Sequence, residues 1–249
     1  VSYSFEEIDK LRATAHALTM QARKIDDVRA QWSVDLAEAF LAITTPDPRL
    51  KVMYPSIMTS SGRYFDYLHP ETFNWWQIDD IAQALAFQNR FGGHTRRPYS
   101  IAQHLVIASH NVEPEFAFEA LTHDAHEFAC LDVMTPLKIL MPQYRDIEDR
   151  AEAAKNRAYG LPLKMSPQVK AIDLRMLATE KRDLMHSEEG NWGILEGVEP
   201  LPETIPLIDA WGAKQAYIDR FWELAPSGKT KADCKDRFDN IINFKGFSQ

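Results

Sequence analysis

Apolar residues recur at intervals of three and four along most of the chain, the period of a helix that buries one face. Between Ser4 and Thr44, Ile8, Leu11, Ala15 and Leu18, then Val28, Trp32, Leu36 and Phe40, predict two helices, which the prolines of "TTPDPR" end. Residues 50–74 mix aromatics with Gly, Ser and Pro and predict an irregular stretch with a short hairpin around residues 60–62. "WQIDDIAQALAFQNRF" places Ile78, Ile81, Leu85 and Phe87 or Phe91 on one helical face, with Gly92 and Gly93 as the stop. After the loop "GGHTRRPYS", Ser100 caps the helix "IAQHLVIASHNV", and Pro114 opens another, "EFAFEALTHDAHEFACLDV". The opposite charges of "QYRDIEDRAEAAKNRAYG" predict a helix with a solvated outer face, ended by Gly160. "SPQVKAIDLRMLATEKRDLM" has a Ser cap, an early Pro and late basic residues; a loop over 187–206 and a last helix from about Asp209 to Leu224 follow. The fold class is therefore all-α. A helical extension is expected over 1–61, the main domain over 62–225 and a tail over 226–249.

Composition narrows the function classes. The 249 residues are 45% hydrophobic, enough for a sizeable core, and carry a formal charge of -8. That balance excludes a protein that grips nucleic acid polymers by neutralising phosphates, so an anionic ligand has to be met by a local basic pocket. Cys130 and Cys234 lie far apart with no CxxC spacing, which excludes a disulfide framework and a thiolate metal site and fits a reducing, cytoplasmic setting. The opening "VSYSFEEIDKLRATAHALTMQ" has no apolar signal core, and no run reaches the roughly 18 apolar residues of a membrane span, so a soluble chain without a membrane partner is expected.

Against this background three helices carry polar residues where the pattern asks for apolar ones. His104 sits among Ile101, Leu105 and Ala108; His123 and Asp124 among Ala120, Leu121 and Phe128; Asp173 among Val169, Ile172 and Leu177. Ionisable groups on apolar faces are costly unless paired or bound to metal. Two imidazoles and two carboxylates form a mixed nitrogen and oxygen set that suits one divalent ion of the Mn, Fe, Co, Ni or Zn kind, with Mg also admissible. On an octahedral ion, four protein ligands leave two positions for water and a substrate oxygen.

The order His104 in "YSIAQHLVIASH", His123 and Asp124 in "LTHDAHE", Asp173 in "VKAIDLRML" resembles the HD-domain metal-dependent phosphohydrolases, whose ligands follow as His, His-Asp and Asp. The flanks "NRF" and "HDAHE", followed by Asp132 and "TPLK", are similar to the bacterial 5'-deoxynucleotidase branch and to phage enzymes that hydrolyse deoxynucleoside triphosphates. The similar region runs from about residue 62 to 190. The resemblance implies an HD-domain helical fold, one divalent metal, a deoxynucleotide substrate and a homo-oligomer, dimer or higher. It makes Glu127, four residues after His123, the acid/base, with Asp132 as a second. Arg90 becomes the phosphate clamp, since a guanidinium can grip two phosphate oxygens. Phe91 stands where an aromatic lies near the nucleoside, while Lys138 and Thr135 would line the phosphate side. Arg96 and Arg97, with His94, could hold the outer phosphates of a triphosphate. His126 is left without a role, and His16, His69, His110 and His186 are expected at the surface or in structural places.

The four ligands do not separate two reactions. A 5'-nucleotidase releases phosphate from a deoxynucleoside monophosphate; a triphosphohydrolase releases triphosphate from, for example, dATP. The monophosphate is the leading expectation, because the motif resemblance spans both flanks. A non-catalytic, nucleotide-sensing HD module is the alternative from another class, and hydrolysis of guanosine alarmones or cyclic dinucleotides ranks lower.

Overall fold

A computed structural model describes residues 55–186, 192–226 and 229. The chain divides into two compact units, Val1–Tyr54 and Pro55–Gln249. The two expected N-terminal helices, and nearly all of the expected tail, lie outside the described residues.

The turn chemistry at residues 60–62 closes a hairpin. Strand β1 (Ser56–Met58) runs antiparallel to β2 (Tyr64–Asp66) with Ile57 opposite Phe65. Gly62 supplies the positive φ of 83° that the turn requires. β1 thus pairs across the boundary drawn at residue 62, and the second compact unit begins at Pro55. The turn is fastened to the first helix, α1 (Ile78–Phe87), through Asp80. That buried carboxylate accepts from Thr59 Oγ1 at 2.9 Å, Ser60 Oγ at 2.7 Å, and the amide and Oγ of Ser61 at 2.8 and 2.6 Å. Four bonds offset the cost of burying the charge.

The rest of the described regular structure is helical. It comprises α2 (Ile101–His110), α3 (Ala117–Thr122), α4 (Glu127–Cys130), α5 (Thr135–Lys138), α6 (Pro142–Tyr159), α7 (Pro167–Leu184) and α8 (Ala210–Leu224), with short 3-10 turns between them. Ile78, Ile81, Leu85, Leu105, Leu121, Tyr217 and Phe221 form one core among α1, α2, α3 and α8. A second cluster of Ala108, Ala120, Val169, Ile172 and Met176 seats α7 against α2 and α3. Each fully buried side chain of this size contributes about 1.5–3 kcal/mol. Phe128 packs edge-on to Phe65 and Trp75, with ring centroids 5.2 and 5.6 Å away, and so pins the short α4 to the hairpin.

Ser100 caps α2 as expected, accepting from Gln103 N at 3.2 Å, and Asp209 caps α8, accepting from Gly212 N at 2.7 Å. Ser166 precedes α7 but makes no side-chain cap bond. Its amide and its hydroxyl both donate to Glu119, each at 2.7 Å.

Three helices depart from their predicted course. α1 ends at Phe87 instead of Phe91, because Asn89 bridges to Ser100 and the Arg90 amide donates to the Tyr99 carbonyl at 2.9 Å. Phe91 then adopts φ 56°, a left-handed conformation that costs a non-glycine residue about 1–2 kcal/mol. The expected helix over 115–133 is broken into α3 and α4. Ala125 and Glu127 bond to Thr122 and Asp124, three residues back, both at 3.0 Å. The Thr122 and His123 carbonyls accept from Lys155 Nζ. α6, read as a solvated helix, has a second face that is buried: Ala151, Ala154, Asn156, Tyr159 and Lys155 itself. No helix among the described residues is long and apolar enough to cross a membrane.

Candidate metal centre

His123 and Asp124 lie at the break between α3 and α4. His104, in the middle of α2, is wholly buried, and its Nε2 lies 3.3 Å from Asp173 Oδ1 of α7. His123 Nε2 lies 3.7 Å from the same oxygen and 3.2 Å from Asp124 Oδ2. One ligand atom from each of His104, His123 and Asp173 falls within 4.8 Å of the others. Asp124 adjoins this group from the His123 side.

The imidazoles are arranged to coordinate. His104 Nδ1 faces Glu180 Oε1 at 2.6 Å, and His123 Nδ1 faces the Ala120 carbonyl at 2.8 Å. Both acceptors require a proton on Nδ1, which leaves the lone pair on Nε2. Both Nε2 atoms are buried and have no hydrogen-bond partner. Buried polar atoms are rarely left so. A divalent cation could satisfy the two imidazoles and Asp173, with Asp124 beside them, so the residues present fit one.

The charges compensate one another. Burial works against a charge on His104, as does Arg90, yet Glu180 and Asp173 outweigh them and raise its pKa. On His123, burial is outweighed by Asp124 and Asp173 in the same way. Burial would raise Asp173, but the imidazoles of His104 and His123 beside it hold it well below the usual carboxylate range. Asp124 is likewise held low by His123 in spite of burial.

Arg90 is buried, and its guanidinium lies along Glu180: Nη2 donates to Oε2 at 3.3 Å and Nε stands 3.2 Å from Oε1. Its Nη1 is left 3.8 Å from Asp124 Oδ2. Glu127 opens α4 and is buried, with Oε2 unpartnered and Oε1 3.9 Å from Lys138 Nζ. Burial, with Asp124 and Asp132 nearby, pushes its pKa well above the carboxylate range. Burial also raises Asp132, against the pull of Arg90.

The remaining predicted residues are placed less alike. Phe91 is half-buried, its ring 5.6 Å from the Arg90 guanidinium carbon and 6.1 Å from the Trp192 ring. Lys138 Nζ is engaged by Glu148 Oε1 at 2.6 Å, and Thr135 is exposed at the start of α5. Arg96 is exposed, with its amide bonded to the Leu184 carbonyl at 2.8 Å. The Arg97 guanidinium donates to the Ile205 carbonyl, which ties it to the loop before α8. His126 is buried, and burial together with Lys155 lowers its pKa to about 3, so it is a neutral core imidazole. His69, His110 and His186 are exposed.

Two supporting residues escape the sequence reading. Glu180 lies seven positions after Asp173 on α7, two turns along the same face; that spacing was the signal available. Lys155 was hidden among the charges of α6. Its Nζ is buried, and burial lowers its pKa to about 8. The unfolded chain therefore keeps this proton to higher pH than the folded one, and stability should rise as pH climbs from about 8 toward the ordinary lysine range. Lys155→Met should lose that rise. With the Thr122 and His123 carbonyls deprived of their donor, it should also lower stability near neutrality by about 1–3 kcal/mol. Denaturant melts of both proteins across that pH window check the pair of effects.

No family model matches the chain. YfdR of Escherichia coli (strain K12) is 43% identical to it over 174 residues, 68% of this chain and 95% of YfdR. The chain belongs to the YfdR family. A protein of Rhodobacter capsulatus is 33% identical over 120 residues, 44% of this chain and 61% of that protein. YfdR and its Rhodobacter counterpart are both described as uncharacterized proteins. The YfdR family thus fixes kinship, and the chemistry has to come from the site.

Proposed function

We propose that the chain is a metal-dependent phosphohydrolase of the HD-domain kind, acting on deoxynucleoside 5'-monophosphates to release the nucleoside and phosphate. The observation that carries this reading is the pair of buried, partnerless Nε2 atoms of His104 and His123, flanked by the carboxylates of Asp124 and Asp173. A bound divalent ion supplies a Lewis acid for the phosphoryl oxygens and acidifies water there.

The chain's own groups account for the rest. Arg90, buried beside Glu180 and with Nη1 3.8 Å from Asp124 Oδ2, gives a fixed positive charge at the edge of the cluster, where negative charge develops. Burial, with Asp124 and Asp132 nearby, favours the protonated form of Glu127 relative to an ordinary glutamate. A carboxylic acid in that state can deliver the proton to the departing 5'-oxygen. Asp132, half-buried and also raised, is the second group able to hold a proton beside it. The aromatic ring of Phe91, next to Arg90, offers a face to the nucleoside.

The monophosphate is favoured over the triphosphate by the guanidinium of Arg97. It is engaged by the Ile205 carbonyl, so it offers less to a β- or γ-phosphate. The test is to incubate the purified protein with Co or Mn and each deoxynucleoside mono- and triphosphate, and to resolve the products by chromatography. Phosphate from the monophosphates is expected. Triphosphate from the triphosphates would replace the substrate and keep the class, whereas metal binding without turnover of either would overturn the enzyme reading.

A further inference from the structure

Glu180 is wholly buried on α7 and is the meeting point of two groups with different tasks. Its Oε1 receives His104 Nδ1 at 2.6 Å and has Arg90 Nε at 3.2 Å, while Oε2 receives Arg90 Nη2 at 3.3 Å. Burial would push this carboxyl upward, yet Arg90 and His104 hold it ionised. Asp173, two turns earlier on the same helix, stands 3.3 Å from Nε2 of the same imidazole. One helix face therefore grips both nitrogens of His104 and aligns the arginine that faces Asp124.

We propose that Glu180 is the positioning residue that couples cation binding to anion binding: it fixes the Nδ1–H tautomer of His104 for the cation and clamps Arg90 for the phosphate. The inference rests on the metal-site reading above. Two features argue that this is more than packing. A buried carboxylate is an expensive way to fill a core, and two cationic or proton-donating partners on one carboxylate make its removal cost both of them. A carboxylate behind a ligating histidine sets its tautomer and basicity, and losing such a partner typically weakens metal affinity about 10–100-fold. Arg90 meets Glu180 through one hydrogen bond from Nη2 and a close ionic contact of Nε at 3.2 Å, with Nη1 directed toward Asp124, so the carboxylate orients the guanidinium.

Three measurements test it. Calorimetric titration with Mn of the wild type and Glu180→Gln should show a loss of about 10–100-fold in affinity, with far-ultraviolet circular dichroism unchanged. Inorganic phosphate, titrated into both proteins saturated with Mn, should bind the variant more weakly still, because Arg90 has lost its charged anchor. Long-range proton–nitrogen NMR of the Zn-loaded wild type should show His104 protonated on Nδ1, a readout that does not require the variant to fold. Mn and phosphate affinities within twofold of the wild type in a folded variant, or His104 protonated on Nε2, would overturn the role of Glu180 while leaving the metal centre standing. A wild type that binds no divalent cation would instead overturn the metal centre, and this inference with it.

Discussion

Asp173→Ala is expected to abolish divalent cation binding and phosphohydrolase activity together while leaving the helical fold intact. Asp173 is the residue both imidazoles share, its Oδ1 lying 3.3 Å from His104 Nε2 and 3.7 Å from His123 Nε2. Without it the two Nε2 atoms keep only Asp124 as an anionic neighbour, on one side. A divalent ion would then have to be held by a depleted set, with part of its charge uncompensated inside the protein. The fold should survive, because α7 is seated by Val169, Ile172 and Met176. The aspartate is itself one-third exposed, so its truncation opens no sealed cavity. Calorimetric titration with Mn and a phosphate-release assay, run beside circular dichroism, check the three parts. Turnover in a variant shown to bind no metal would sink the metal-dependent mechanism.

The His104, His123 and Asp173 cluster was legible because burial and polarity conflict at these positions, while Asp124, read with them, lies beside the cluster. Each interrupts an apolar helical face, and the period of that face shows in the sequence. The all-α class and the hairpin at 60–62 follow from the same periodicity and from local turn chemistry. What escaped is what depends on contacts distant in sequence. Lys155 looks like one charge among many on α6, and only the meeting of α6 with the end of α3 turns it into a buried donor to two carbonyls. The same contact accompanies the break between α3 and α4, which helical propensity alone would have carried through. Arg90 shows the converse. "NRF" reads as the end of a helix, but pairing of the Arg90 amide with the Tyr99 carbonyl closes the helix early and brings the side chain inside. Arg97, placed by its charge beside the phosphates, is drawn instead to a carbonyl of the loop before α8. Charge along a sequence names the groups able to bind an anion, and packing decides which of them remain free.

Glu127→Gln separates binding from proton transfer. The amide keeps the shape of the side chain, and Glu127 is absent from the His104, His123 and Asp173 group, so Mn affinity should be nearly unchanged. kcat should fall by about a hundredfold to ten-thousandfold, the range expected when a positioned proton donor is removed, with a far smaller change in KM. The wild type should be most active at pH values below the raised pKa of Glu127 and lose activity as pH passes through it. The variant should lack that decline. Stability provides an independent check with its own sign. Burial and the neighbouring carboxylates raise Glu127 above its unfolded value, so the folded state binds this proton more tightly, and stability falls as pH rises from the ordinary glutamate range to the raised pKa. An uncharged glutamine removes that fall, and the variant should be at least as stable as the wild type near neutrality. A slow enzyme that is fully folded, fully metal-binding and no less stable has lost a step of the reaction. Unchanged kcat in such a protein would transfer the proton to Asp132, whose pKa burial also raises.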